Sequence, residues 1–273
     1  MNDVPFAELW KARNPQTLEE SLAFWDGRAD EFNDITHCKD KEERHGLIAY
    51  LEERGALRPE CSVLDLGCGA GRFVLEFGRR ARHVTGVDIA PRMIAHAGEN
   101  ARAAGMTNAD LYAMPWQEAD IDVLGWRGAF DLVFASMSPA IDSEETLLKM
   151  HAASRGCCFM SGFIKRSDLL FCELVRRIAP EVELAPHMGS IIYAFNILWR
   201  HGIYADVICK DNDWVNSWDL PTAMAAYAGD CKALLSGREG VVDALERELQ
   251  SLAVEGRVER RMTSKVAWLF WKV

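Results

Sequence analysis

Apolar positions follow two different rhythms along the chain. Within Thr17–Asp26 and just beyond it, Leu18, Leu22, Trp25 and Ala29 recur at helical spacing. Thr17 with Glu20 is a capping-box pattern, which predicts where that helix begins. A second helix is expected over Lys41–Arg54, closed near Gly55, so residues 1–58 read as helical with interruptions. After residue 60 short apolar runs take over: Cys61–Leu66, His83–Asp88, Ala109–Tyr112, Phe130–Ala135 and Gly156–Ile164. Helical stretches at Arg72–Arg80, Pro91–Ala104 and Glu144–Ala153 separate them. Strands alternating with helices at this spacing predict a parallel sheet covered on both faces.

The second half is less regular. Helices are expected at Asp168–Ile178, Ile191–His201, Leu220–Leu235 and Val241–Val254, and strands at Ile203–Cys209 and Lys265–Val273. Trp214 and Trp218 fall in an Asp/Asn-rich stretch read as a loop, where they anchor the added helices or roof a pocket. The closing aromatics Trp268, Phe270 and Trp271 read as core. The expected organisation is a helical lid at 1–58 and one large domain at 59–273, with helical insertions near 165–190 and 214–256.

Composition narrows the function classes. The chain has 273 residues, 49% apolar and 26% charged, enough apolar content for a packed core. No run of about 18 apolar residues exists, so no membrane-spanning helix is expected. The N-terminus has neither a basic start nor an apolar leader, so no secretory signal is expected, and the cysteine usage reads as that of a cytoplasmic protein. The net charge of −10 disfavours a phosphate backbone as partner. Residues 1–60 hold 14 acids against 8 Lys/Arg, so the N-terminal segment is no basic arm. None of the eight cysteines forms a Cys-x-x-Cys pair, which predicts reduced thiols and no metal site.

The chemistry concentrates at Val63-Leu-Asp-Leu-Gly-Cys-Gly-Ala-Gly-Arg72. A strand enters a turn whose glycines let backbone and ligand approach closely, and a helix N-terminus follows. A dinucleotide fingerprint wants its third glycine one residue later, where Arg72 stands. Asp65, two residues before the first glycine, would repel a pyrophosphate and attract an ammonium. Asp88 ends the second strand, where an acid suits the hydroxyls of a ribose. The demand is for a ribose and an amino-acid group without a pyrophosphate, which S-adenosylmethionine (SAM) meets.

These residues resemble the class I SAM-dependent methyltransferases. Val63–Arg72 matches their first motif, Val84-Thr-Gly-Val-Asp-Ile-Ala-Pro-Arg-Met-Ile94 the second, Ala113-Met-Pro-Trp-Gln-Glu118 the loop after the third strand, and Phe130-Asp-Leu-Val-Phe-Ala-Ser136 the fourth strand. The resemblance implies an α/β, Rossmann-like, seven-stranded, mostly parallel sheet with helices on both faces, its last strand antiparallel. It implies SAM as cofactor and S-adenosylhomocysteine as product. Gly67, Cys68, Gly69 and Gly71 would line the methionine part, with Asp65 near the ammonium. Asp88 would hold the ribose, Ile89 would pack on the adenine, and Met93 would also belong to the cofactor site. Met114, Pro115 and Trp116 would flank the adenine. Pro115 occupies one position where the family often has an acid, so backbone atoms or Gln117 would take the adenine amino group. Ala135 and Ser136 would lie under the methyl, and Trp25 and Arg28 in the lid would help close the pocket.

The acceptor is less legible, because methyl transfer from a sulfonium needs positioning more than a dedicated base. Ser136-Met-Ser-Pro139 replaces the Asn/Asp-Pro-Pro-Tyr/Phe motif of amide and adenine-amine enzymes, and no Pro-Cys pair marks a cytosine-C5 enzyme. Asp211-Asn212 resembles a metal-binding pair but follows the wrong strand. Met137, Ser138, His187 and Tyr193 are the acceptor-side candidates. His37 and Asn196 are weaker ones. The expectation is methyl transfer to a small molecule. A protein or tRNA acceptor, or a SAM-binding module without turnover, stands as the alternative.

Overall fold

A computed structural model describes residues 5–13, 16–37, 41–184 and 187–273; the side chains of residues 37, 41–43, 187 and 188 are outside the description. The chain forms two compact units. The first comprises Met1–Gly162, Ser190–Ile208 and Trp268–Val273, and the second Phe163–Gly189 and Cys209–Ala267.

The first unit opens with four helices, α1 (Phe6–Arg13), α2 (Leu18–Gly27), α3 (Ala29–His37) and α4 (Lys41–Glu53). Thr17 caps α2 with the reciprocal bonds of a capping box. The stripe through Trp25 and Ala29 is not one helix, because the chain breaks at Arg28 and restarts as α3. The alternating part runs β1 (Ser62–Leu66), α5 (Arg72–Gly78), β2 (His83–Asp88), α6 (Pro91–Ala103), β3 (Ala109–Ala113), β4 (Phe130–Ser136), α7 (Glu144–Ala153) and β5 (Ser154–Asp168). Strands β1 to β5 pair in parallel. All five residues of β1 are buried, as a strand covered on both faces requires. After β5 come α8 (Leu169–Ile178), β6 (His187–Met188), α9 (Ile191–Arg200), β7 (Asp206–Asp211), β8 (Trp214–Asp219), α10 (Leu220–Leu234), α11 (Val241–Leu252) and β9 (Arg257–Lys272).

The sheet path is β3-β2-β1-β4-β5-β9-β7, a mostly parallel arrangement closed by antiparallel strands. Seven strands lie on that path, as expected, and two more sit off it. β6 pairs antiparallel with β5, and β8 with β9. The Asp/Asn-rich stretch is therefore no simple loop. Its residues are mostly exposed, so it carries little apolar signal, and it becomes a strand because β9 offers ladder partners from Trp214↔Met262 to Asp219↔Arg257.

The first unit's core is apolar side chains from α4, α5 and the central strands, including Leu51, Val63, Phe77, Val84, Phe134, Phe159, Trp268 and Phe270. Phe134 and Phe159 stack across β4 and β5 at 5.1 Å. Trp271 is also buried, its indole N–H donating to His151 Nδ1.

The second unit has a separate core from α8, α10, α11 and β9, built on Leu174, Tyr227, Leu245, Leu249 and Val258. Asp168 organises it. It caps α8 through Phe171 N and accepts hydrogen bonds from Tyr227 Oη (2.8 Å) and Arg260 Nε (2.7 Å). The Arg260 guanidinium lies 4.5 Å from the centre of the Trp218 ring, and Trp218 packs beside Tyr227. Trp218 thus anchors the added helices. Among the described residues no helix is long and apolar enough to cross a membrane.

Candidate functional site

The carboxyl ends of β1, β2 and β4 meet at the glycine turn. Gly67 and Cys68 donate to Val87 O at 2.7 and 3.0 Å, which locks the turn to the end of β2. Gly67 has φ +71, and a Cβ there would lie 2.0 Å from Ser138 Oγ in the loop after β4. No other residue fits both the backbone and the space. At Gly71 a Cβ would meet Ala97 at 3.1 Å, so this glycine lets α6 pack against the turn.

Two carboxylates flank the turn. Asp88 Oδ2 accepts from Gly69 N and Oδ1 from Ala90 N, both at 2.9 Å, so its own backbone surroundings orient it. Burial raises its pKa, and those two N–H groups oppose the rise. Asp65 is 2% exposed, and its Oδ2 has no hydrogen-bond partner among the described residues. Burial first, and then the nearby Asp88, pushes its carboxyl up to about 8. Burial and the two carboxylates also raise the Cys68 thiol, which keeps it protonated and inert as a nucleophile. Buried carboxylates are normally paired, so an unpartnered one beside a second acid would be completed by a cationic group. The turn, Asp65 and Asp88 therefore fit the amino-acid end and ribose of SAM.

The N-terminal helices sit over this turn. Ala29, Ala70, Ala90 and Met93 form one small apolar cluster, with Trp25 and Phe32 packed against it. Asn100 Nδ2 donates to Asn33 Oδ1 (2.8 Å) and to Ala70 O (2.9 Å), tying α3 to the turn. Asp26 Oδ1 accepts from Arg92 N at the start of α6, and Arg92 Nη2 donates to Asp30 at 2.7 Å. Trp25 and Met93 are thus brought beside the turn. Arg28 instead forms a bidentate pair with Glu31 at 2.7 and 2.8 Å and lies over the rings of Phe24, Trp25 and Phe32. Its described contacts hold α2 and α3 together.

Ile89, Met114 and Pro115 are half-buried at the ends of β2 and β3. Trp116 departs from the expected position. Its ring is 1% exposed, its Nε1 donates to Thr146 O in α7, and Lys149 Nζ lies 5.5 Å from the ring centre. It supports the loop from behind, because its indole N–H finds a partner only in the interior. Gln117 Nε2 donates to Asp142 Oδ2 at 2.8 Å, so its amide nitrogen is already engaged.

Ala135 is buried and Ser136 half-buried at the end of β4. Ser136 Oγ lies 2.9 Å from Ser161 Oγ on β5. Met137 N donates to both Ser161 O and Ser161 Oγ, which holds Met137 at φ +52, an uncommon value for a side-chain-bearing residue. Ser138 Oγ accepts from Ala140 N at 3.2 Å, the local turn bond expected before a helix. Tyr193 is turned toward α1, where it stacks on Trp10. Asn196 donates to Ile192 O of its own helix. The side chains of His187 and His37 lie outside the described residues. Asp211 pairs with Lys265 at 3.0 Å, which is no ligand geometry. Among the described residues no group of His, Cys, Asp and Glu could hold a metal.

Sequence reasoning missed Ser161, Asn33 and Asn100. Ser161 faces Ser136 only through strand register, and Asn33 meets Asn100 only through helix packing, so no local pattern marks them. Asp131, part of the fourth-strand motif, stands at the opposite end of its strand, where it accepts from Ser62 N (2.8 Å) and from Arg155.

Residues 63–155 match the methyltransferase domain family. A 23S rRNA (uracil(1939)-C(5))-methyltransferase, RlmD, of Aeromonas hydrophila is 47% identical over 72 residues, which is 26% of this chain and 16% of that protein. The chain spans 16% to 31% of the length of the relatives it matches in this way. In fold it is similar to a protein of Bacillus halodurans provisionally named a methyltransferase (TM-score 0.52, 10% identity, 82% of this chain and 97% of that one). The YcgJ protein of Bacillus subtilis is similar too (TM-score 0.50, 15% identity, 82% and 98%). Residues 63–155 are thus similar to a methyltransferase domain.

Proposed function

We propose that this chain uses its methyltransferase domain to transfer a methyl group from SAM to a small-molecule acceptor. The observation that carries the reading is the buried, unpartnered carboxyl oxygen of Asp65 beside the glycine turn. When bound, SAM supplies an activated methyl on a good leaving group. The chain's part is binding and alignment. Asp65 pairs with the ammonium, and Gly67, Cys68, Gly69 and Gly71 let the methionine part lie against the backbone. Asp88, already oriented by two N–H groups, takes the ribose. Ile89, Met93, Met114 and Pro115 line the adenine side, and Trp25 helps exclude water from above. Ala135 and Ser136 form the floor at the reacting end, with Met137, Ser138 and Tyr193 toward the acceptor. Alignment of this kind supplies up to about 7–11 kcal/mol of barrier reduction.

A small acceptor agrees with the net charge of −10 and with the acids Asp26, Asp30 and Glu31 on the helices over the turn. A cytoplasmic location belongs to the same reading. The identity to an rRNA methyltransferase over 72 residues favours a second reading, an RNA acceptor. Calorimetry tests the core claim: S-adenosylhomocysteine binds in the micromolar range and NAD does not. Incubation with methyl-labelled SAM then separates the acceptors. Label in small metabolites supports the first reading, and label in RNA the second.

A further inference from the structure

The N-terminus of α9 stands beside the reacting end of the cradle. A Cβ built at Gly162 would lie 3.3 Å from Ile191 Cβ. Gly162 directly follows Ser161, the partner of Ser136 and Met137. This ten-residue helix receives no side-chain cap from Ser190. Its first turn carries Tyr193, and α1 packs there: the Trp10 and Tyr193 rings stack at 6.4 Å and 22°. The Arg13 guanidinium lies 6.0 Å from the centre of the Tyr193 ring. Trp10 is 1% exposed, yet its indole N–H has no hydrogen-bond partner among the described residues. A buried donor without a partner is costly, so its survival here calls for a group to complete it.

Three donors of one sign thus gather at one corner of an acidic protein: a helix N-terminus, a guanidinium and an orphaned N–H. We propose that this corner seats the acceptor, and that the acceptor carries a carboxylate. The carboxylate would accept from Trp10 Nε1 and face Arg13 and the start of α9. The rest of the molecule would lie along Tyr193, with its nucleophilic atom toward Ser136. A planar anion with two oxygens matches donors that approach from different sides. A neutral acceptor would leave the positive corner without its complement. The inference rests on the methyltransferase reading and adds the acceptor's charge to it.

The test uses the full chain saturated with S-adenosylhomocysteine, and benzoate and benzamide as probes of equal shape. Titration followed by saturation-transfer NMR should show benzoate bound and benzamide at least about tenfold weaker, as loss of a charged hydrogen bond predicts. Arg13→Gln, at an exposed position, should weaken benzoate about tenfold. Trp10→Phe keeps a ring against Tyr193 while removing the donor, and should weaken it about fivefold. Equal binding of the two probes, absence of benzoate binding, or unchanged benzoate affinity in Arg13→Gln would overturn the proposal. S-adenosylhomocysteine binding to the wild-type chain is measured first. Its failure would sink the methyltransferase reading itself, whereas its success with benzoate indifferent would sink only the acceptor's charge.

Discussion

Replacing Asp65 with Asn separates what this carboxyl costs the fold from what it contributes to binding. The group is 2% exposed with one oxygen unpartnered, and burial followed by Asp88 pushes it up to about 8. In the unfolded chain it titrates at about 3.9. The folded state therefore holds this proton more tightly than the unfolded one. Stability from this group is fully present below about pH 4 and is lost as pH rises toward 8. At about 1.36 kcal/mol per unit, the loss is about 1.5 kcal/mol at pH 5 and about 5 kcal/mol at pH 8. Asn keeps the shape and leaves a buried amide whose cost does not vary with pH. The ligand-free variant should therefore gain about 3–4 kcal/mol on the wild type between pH 5 and pH 8, measured by urea unfolding at both. With S-adenosylhomocysteine the effect reverses: affinity at pH 7.5 should fall about 10- to 100-fold, the worth of a charged hydrogen bond. Calorimetry in buffers of different ionisation enthalpy should show close to one proton released on binding by the wild type at pH 7 and none by the variant. A stability difference that is flat with pH would refute the buried-acid argument. Unchanged affinity and proton release would remove Asp65 from the binding site.

Three further outcomes follow from the same geometry. Gly67→Ala puts a Cβ 2.0 Å from Ser138 Oγ at a positive φ, so the variant should lose about 2–4 kcal/mol of stability in chemical unfolding and bind S-adenosylhomocysteine poorly; wild-type behaviour would mean the turn relaxes freely. Asp88→Ala should weaken S-adenosylhomocysteine about 10- to 100-fold, and should also loosen the turn by freeing Gly69 N and Ala90 N, read as faster hydrogen exchange at those amides. Arg28→Ala breaks a largely exposed pair with Glu31 and should change stability by no more than about 1 kcal/mol in urea unfolding. A large loss of S-adenosylhomocysteine affinity in that variant would show that Arg28 reaches the pocket after all.

The sequence by itself determined the alternating core of the first unit and the cradle's chemistry. Short apolar runs in β1, β2 and β4 are legible because a doubly covered strand needs nearly continuous apolar positions. The turn is legible because close backbone approach at Gly67 admits no Cβ. Asp65 and Asp88 are legible because strand ends fix where their side chains stand relative to that turn. Tertiary structure decided the rest. Trp116 could flank a ligand or support a loop from behind, and only the carbonyl of Thr146 across the core settled which. Arg28 could face the pocket or its own helix, and Glu31 with three rings held it to the lid. β8 became a strand because β9 supplied ladder partners, a contact absent from its own exposed residues. Ser161 meets Ser136 only through strand register, and Trp10 meets Tyr193 only through helix packing over a long sequence separation. Local periodicity and covalent geometry act within a few residues of chain, whereas pairing, burial and the fate of an unpaired polar atom are set by neighbours that only the fold brings together.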